Sequence, residues 1–548
     1  MIKRILSNRI ILNSSPSKSV VSAAFVITLA GLASRMLGLV RDRFLASTFG
    51  AGDTLDVYYA AFRIPDLIYN LLILGALSAA FIPVFTSLVS RDEEKKAWEL
   101  ASGIMNIAII FIIFLSAIFA IFAPFIMKII TPGFPPEKME QVVYFTRIMF
   151  LSPLFLGISG IFGGILTSFK RFLIYSLAPI FYNLGIIIGV LFFVKFWGPI
   201  GLAWGIVLGA FLHMTTQYPA ARNLGFKHSW SFYAHLSNKE VRKVFVLMIP
   251  RTLGIAISQI NLLVITIFAS TLAAGSLAVF SFAQNLQSVP LGIFGISFSI
   301  AVFPTLSHFA AKGDNANFIA SFSQTFRQIL FFVIPTSVFI LLLRAQLVRV
   351  VLGAGKFDWE DTNLTFACLG ILSASLFAQS VVPLLARSFY AMHDTKTPFY
   401  IAIASEAVNI GTVLLLIGKY QIISLAIAFS LASIVQMMLL LFWLRMRYDN
   451  LDDKKIVSTI IKIALATIGS GIGIQATKYM IGKTVDMDTF LGVFFQLSIS
   501  AIIGVLIFIG VCYAIRLEEF MNFKNSLSRR IFRGKKDIIE DTGEVSGI

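Results

Sequence analysis

Long apolar runs separated by short polar connections recur from one end of the chain to the other. They occupy 20–42, 54–89, 99–130, 141–169, 175–196, 199–221, 241–271, 275–309, 319–344, 361–391, 396–418, 421–445, 455–480 and 488–516. A helix needs about 20 apolar residues to cross the hydrocarbon layer, so the pattern predicts about fourteen transmembrane helices. The runs at 54–89 and 275–309 exceed one crossing, which predicts tilting, kinking or extension past the bilayer. The expected fold is an all-α polytopic membrane protein.

The spacing of the runs suggests an order of lobes. Helices 1–6 fall in 20–222 and helices 7–12 in 223–446, with the polar stretch from Arg222 to Glu240 as the joint. Both groups open on a helix with small residues and an arginine, compatible with two related bundles around a central cavity. Two extra helices occupy 455–516, and 517–548 reads as a polar, mixed-charge and partly disordered tail. Residues 1–19 are basic and polar, and the run that follows is long and lacks a small-residue cleavage site. They read as a cytoplasmic segment before a retained first helix.

Composition agrees with this reading. Hydrophobic residues make up 57% of the chain and charged residues only 13%, which excludes a water-soluble enzyme, since such domains carry about 25% charge. Lys and Arg number 45 against 28 Asp and Glu, a formal charge of +17. About 28 of the basic residues fall in connections on the side of the N-terminus and about 11 on the other. The surplus is therefore topological: it predicts cytoplasmic termini and no nucleic-acid partner. Cys368 and Cys512 lie far apart, and the five histidines show no ligand spacing, so no disulfide framework, metal or cofactor is expected. No phosphate-binding Gly-rich loop or nucleophile elbow occurs, so no enzymatic activity is expected. Energy for any transport would come from an ion gradient, the membrane potential or the substrate's own gradient.

Charge inside the membrane is concentrated in the first two helices. An arginine at the centre of a span costs about 2.5–3.5 kcal/mol on insertion scales, so such residues face a cavity or a partner. In the first helix, Gly31, Ser34 and Gly38 form a small-residue stripe beside Arg35, and Asp42 lies seven residues on, on Arg35's face. Arg41 follows on another face. In the second helix Asp56, Arg63 and Asn70 recur every seven residues as one polar stripe, and Pro65 should kink the helix beside it. Two readings stay open here. Arg63 pairs with Asp56 or Asp66, and Arg35 with Asp42, only to neutralise buried charge; or the guanidinium groups line a wet cavity and bind an anion such as phosphate. The seventh helix carries Arg251, Ser258, Gln259 and Asn261, and the eighth carries Gln284, Asn285, Gln287 and Ser288. Such amides are either interhelical glue or cavity walls. Glu406 and Asn409 share a face of the eleventh helix, where they could hold a proton or Na⁺.

Several strings resemble, in order, the MurJ/MviN family: Ser34-Arg35-Met36-Leu37-Gly38, Val40-Arg41-Asp42, Phe49-Gly50-Ala51-Gly52, Asp56, Ala61-Phe62-Arg63-Ile64-Pro65, Gly75-Ala76-Leu77-Ser78 and Phe81-Ile82-Pro83. Farther on, Pro290-Leu291-Gly292-Ile293-Phe294-Gly295, Gly355-Lys356-Phe357, Arg387-Ser388-Phe389-Tyr390-Ala391 and Asp394-Thr395-Lys396-Thr397-Pro398 are similar to it too. The resemblance implies a bacterial inner-membrane flippase for lipid II, an undecaprenyl-pyrophosphate-linked glycopeptide, that alternates between inward- and outward-open states. It implies functional positions at Arg35, Arg41 and Asp56, a lipid-tail groove along the last two helices, and a place beside the cell-wall synthesis machinery.

The chain departs from the family in places. Tyr69 and Asn70 stand where many relatives have two basic residues, Leu74 replaces a Glu, and Gln284 and Asn285 replace an Asp-Arg pair. Arg251 is the expected replacement for the lost cavity charge. Together these readings set the pyrophosphate against Arg35, Arg41 and Arg63, with Asp56, Asn70, Arg251 and Asn285 in the same substrate site. Either Na⁺, H⁺ or the membrane potential resets the carrier. The rivals are a flippase for another polyprenyl-linked oligosaccharide, a drug exporter, a polyprenyl-sugar transferase and a non-transporting envelope scaffold. A drug exporter would want acidic, aromatic cavity walls, and a transferase exposed acidic metal-binding pairs; neither stands out here.

Overall fold

The computed structural model describes residues 20–71, 78–230 and 239–532, with the side chains of 20–26, 78–79, 239, 245–258 and 526–532 left out. The N-terminal segment, Leu74, the Gly75-Ala76-Leu77 string, part of the Arg222–Glu240 joint, the end of the tail and the Arg251 side chain therefore lie outside the described residues.

The described chain is helix after helix. α1 is Val20–Phe49, α2 Asp53–Tyr69, α3 Ser78–Ser90, α4 Glu94–Ile121, α5 Ala123–Ile130, α6 Pro136–Met149, α7 Leu151–Ser168, α8 Phe172–Ile188 and α9 Gly201–Asn223. α10 is Lys239–Ser270, α11 Ser276–Pro290, α12 Ser297–Lys312, α13 Asn315–Val351, α14 Trp359–Ala374 and α15 Leu376–Ala391. α16 is Lys396–Tyr420, α17 Ile422–Tyr448, α18 Asp453–Thr484, α19 Phe490–Ala514 and α20 Glu518–Phe532. Among the described residues, 9 helical stretches are long and apolar enough to cross a membrane, and α14 with α15, bent by 46°, makes a tenth. The protein is thus a multi-span all-α membrane protein.

The departures from regular helix have local causes. The run 99–130 breaks at Phe122, where Pro124 opens α5. The second helix continues through Pro65 and widens into a π turn at Asn70–Leu71, so the irregularity falls one turn beyond the proline. Pro290 precedes a further π segment at Leu291–Ile296, after one at Gly189–Phe193. α8 and α9 fold back on each other after Gly198, whose φ of +65° suits glycine.

The helices gather into two compact units, each discontinuous in sequence. The first holds residues up to Phe282 with Val351–Thr365 and Leu415–Leu425. Its core packs Phe81, Phe85, Leu100, Ile104, Ile161 and Ile165, with Trp98 stacked on Phe169 at 5.8 Å. The second holds Ala283–Val350, Phe366–Leu414 and Ala426 onward. Its core packs Phe318, Phe322, Ile329, Leu384, Phe389 and Ile463, with Phe294 stacked on Phe332 at 4.8 Å. Large apolar side chains such as Leu415, 84% exposed, face outward, as lipid contact requires.

Candidate functional site

All six charged residues singled out in the first two helices, Arg35, Arg41, Asp42, Asp56, Arg63 and Asp66, fall within the first unit. Arg41 is half-buried on α1. Its Nε and Nη2 donate to Asp42 Oδ1 at 3.0 and 2.8 Å, and its Nη1 donates to Asn183 Oδ1 on α8 at 3.1 Å. Asn183 in turn donates to Ser34 Oγ at 3.4 Å and Pro179 O at 3.1 Å. The small residue Ser34 thus lets α8 approach α1, and the amide aims Arg41. Arg35 is half-buried one face away on the same helix.

Arg63 behaves differently. Its Nε donates to Thr266 Oγ1 on α10 at 2.9 Å, while its buried Nη2 has no hydrogen-bond partner. No carboxylate lies within ion-pair distance of it among the described residues. Asp66 accepts instead from Asn70 Nδ2 at 2.9 Å. Both readings left open by the sequence have support at Arg63: the charge of Asp66 still acts on it beyond ion-pair distance, and its buried Nη2 is an unused donor.

Asp56 is fully committed. Oδ2 receives Lys138 Nζ at 2.9 Å and Gly275 N–H at 2.8 Å, and Oδ1 receives Ala278 N–H at 3.1 Å. The two amides belong to the start of α11, where unpaired N–H groups and the helix dipole favour an anion. Lys138 also reaches Asp53 Oδ1 at 2.6 Å and lies 4.1 Å over the Phe134 ring. The carboxylate fastens α2 to α6 and α11.

The turn between α1 and α2 is fastened by backbone as well. Lys356 N–H donates to Ser47 O at 2.9 Å, and Ala51 N–H donates to Asp361 Oδ2 at 2.8 Å. Gly275 has φ +87°, and a Cβ there would sit 1.8 Å from Ala51 O; Gly355 has φ +60°, with 2.2 Å to Ser47 O. Only glycine permits backbones to meet this closely.

In the second unit, Gln287 Nε2 donates to Leu372 O at 3.1 Å, the interhelical role open to such amides; Asn285 is half-buried on the same helix. Asn409 Nδ2 donates to Glu406 Oε1 at 3.2 Å, so the pair does share a face, and Asn409 Oδ1 is buried without a partner. Lys138, Asn183, Thr266 and Asp361 were not foreseen. Lys138 sits between the runs 99–130 and 141–169 and reads as a loop lysine, yet it is only 8% exposed. Its one sequence signal is a cation just after Pro135-Pro136, which starts a helix.

Fold and site together define a multi-pass helical membrane protein that holds half-buried arginines in its opening helices. The chain belongs to the MurJ family: the family model described as lipid II flippase MurJ matches residues 45–495. A probable lipid II flippase MurJ from Haemophilus influenzae is 30% identical over 88% of this chain and 98% of its own length. Another from Bdellovibrio bacteriovorus is 27% identical over 93% of this chain and 97% of its own. A solved lipid II flippase MurJ in an inward closed conformation shares the fold, with a TM-score of 0.71 at 24% identity, covering 93% of this chain and all of that one (100%).

Proposed function

We propose that this protein is a lipid II flippase, carrying the undecaprenyl-pyrophosphate-linked precursor from the cytoplasmic to the outer leaflet of a bacterial inner membrane. It is a transporter, as its family's name states, and not an enzyme. The observation that carries the reading is Arg63: a half-buried cation whose buried Nη2 is an unused donor, on the helix next to Arg35 and Arg41. Guanidinium suits the oxygens of a diphosphate, and a dianion moved through bare hydrocarbon would cost far more than any pairwise contact restores. A charged, hydrated passage lowers that cost. Arg35, Arg41 and Arg63 take the pyrophosphate, Asn70 and Arg251 complete the polar wall of the first unit, and Asp56 positions α2 against the start of α11.

The excess of basic residues in alternate connections supports cytoplasmic termini and hence a closed turn on the outer side, where Gly50-Ala51-Gly52 is fastened. Opening it and closing the cytoplasmic side is alternating access between two lobes, 20–222 and 223–446. The outward-facing apolar side chains of α18 and α19, such as Ile468, Ile472, Ile502 and Leu506, suit a polyprenyl tail that stays in lipid. An inside-negative potential favours outward movement of negative charge by about 2.3 kcal/mol per charge per 100 mV. Glu406 and Asn409, with a spare amide oxygen, are the place where Na⁺ or H⁺ would couple.

Depletion tests the proposal: lipid II should accumulate in the inner leaflet. Accumulation of a different polyprenyl-linked glycan would favour the second reading, to which Tyr69, Asn70, Gln284 and Asn285 lend weight by replacing the family's charges.

A further inference from the structure

Near the far ends of α13 and α18, two cations share one helical turn. Arg344 Nη1 donates to Leu341 O at 2.7 Å, and Lys478 Nζ donates to the next carbonyl, Leu342 O, at 3.0 Å. They are close enough to repel one another. No carboxylate lies within ion-pair distance of either among the described residues. Arg344 has seven residues left in its helix and Lys478 six, about 10 and 9 Å of rise, the depth at which acyl chains give way to headgroups.

Loose snorkelling would place such side chains at this depth too, but here both are held. Arg344 lies 5.7 Å from the Phe366 ring, and its Cδ rests against the bare face of Gly370, where a Cβ would come within 2.9 Å. The turn bearing Lys478 is fixed by Gln496 Nε2, which donates to Lys478 O at 2.8 Å, and Gln496 Oε1 accepts from Gln346 Nε2 at 2.8 Å. Lys483, 4.2 Å over the Tyr479 ring, adds positive charge one turn on. Beside Lys478, Tyr479, Met480 and Ile472 are about two-thirds exposed and face lipid, so a ligand with an apolar tail can reach the pair from the bilayer.

We propose that Arg344 and Lys478 form a binding site for the phosphate of a membrane lipid, separate from the arginines of α1 and α2. Each cation spends one N–H on a carbonyl and keeps others for phosphate oxygens. That the site faces the outer leaflet rests on the orientation argued under Proposed function; the phosphate chemistry does not. If the cargo is a polyprenyl pyrophosphate, the pair lies at the outer end of the helices offered for its tail, where a delivered headgroup would leave.

Native mass spectrometry of the full-length protein, with undecaprenyl phosphate, phosphatidylglycerol and inorganic pyrophosphate as probes, tests this. Retention of at least one of the two lipids should fall about tenfold in Arg344→Gln/Lys478→Gln, the scale of a lost charge-assisted contact. Lys478→Arg should keep it. Which lipid responds identifies the source of the phosphate. Equal retention in the double variant, or a response only to inorganic pyrophosphate, overturns the site. If the double variant fails to fold, Lys478→Gln alone reads the same change.

Discussion

Lys138 Nζ lies 2.9 Å from Asp56 Oδ2, and the pair is buried: the lysine side chain is 9% exposed and the carboxylate 3%. Through it the short helix after Pro135-Pro136 grips the second helix, and two amides of α11 complete the carboxylate's shell. A pair of this kind adds little over apolar packing, but breaking it strands a charge.

Lys138→Met should therefore destabilise the protein by about 3–5 kcal/mol, the cost of an uncompensated buried carboxylate. Thermal unfolding of the detergent-solubilised protein measures it. Adding Asp56→Asn should recover part of the loss. A change below about 1 kcal/mol in the single variant would mean the pair behaves as an exposed one.

Gly355→Ala should loosen the turn between α1 and α2. The new methyl group would meet Ser47 O at 2.2 Å, on a backbone that L-residues rarely adopt. A cysteine placed at Ala51, which is 9% exposed here, should be protected from an impermeant maleimide in the parent and labelled in the variant. Equal protection would show that the closure does not depend on this approach.

Arg63→Gln keeps polarity and removes the charge. Transport should fall about 10- to 100-fold, the worth of one charge-assisted hydrogen bond. Arg63→Lys should recover little, because a point charge cannot both bond Thr266 and fork to a phosphate. A leaflet-resolved lipid II assay in growing cells reads the difference. Full activity in Arg63→Gln would return this arginine to a structural role.

Arg251→Ala should impair growth complementation as Arg35→Ala does, if Arg251 supplies the cavity charge that Asn285 does not. Normal growth with Arg251→Ala, beside failure with Arg35→Ala, would dismiss the replacement.

The loop between α15 and α16 offers a pH test outside the membrane. Partial burial pushes the Asp394 carboxyl up, but N–H and O–H donors from Thr397, Arg447 and the Lys396 N–H outweigh it and hold it below the usual range. A depressed carboxyl contributes stability above its unfolded value, near 4, and loses it as pH falls through the lower folded value. Unfolding followed from about pH 5 down to about pH 2 should show this loss in the parent and not in Asp394→Asn. A shared profile would discharge Asp394 from the effect.

Much of this protein is written in local pattern. Hydrophobic length makes each segment a membrane helix, because a backbone in hydrocarbon must satisfy its own hydrogen bonds. The opening strings around Arg35, Arg41 and Arg63 point to the family, and their charge points to an anion. Partners that come together only when the chain folds are another matter. Lys138 reads as a loop cation until α6 carries it to Asp56. That Arg63 donates to Thr266 while Asp66 accepts from Asn70, so that the two make no close ion pair, is visible only in the packed helices. The meeting of Ser47 with Gly355 joins positions some three hundred residues apart, and no periodicity records it. Hydropathy is a property of each segment alone, whereas pairing depends on which helix stands beside which, and that is decided by packing.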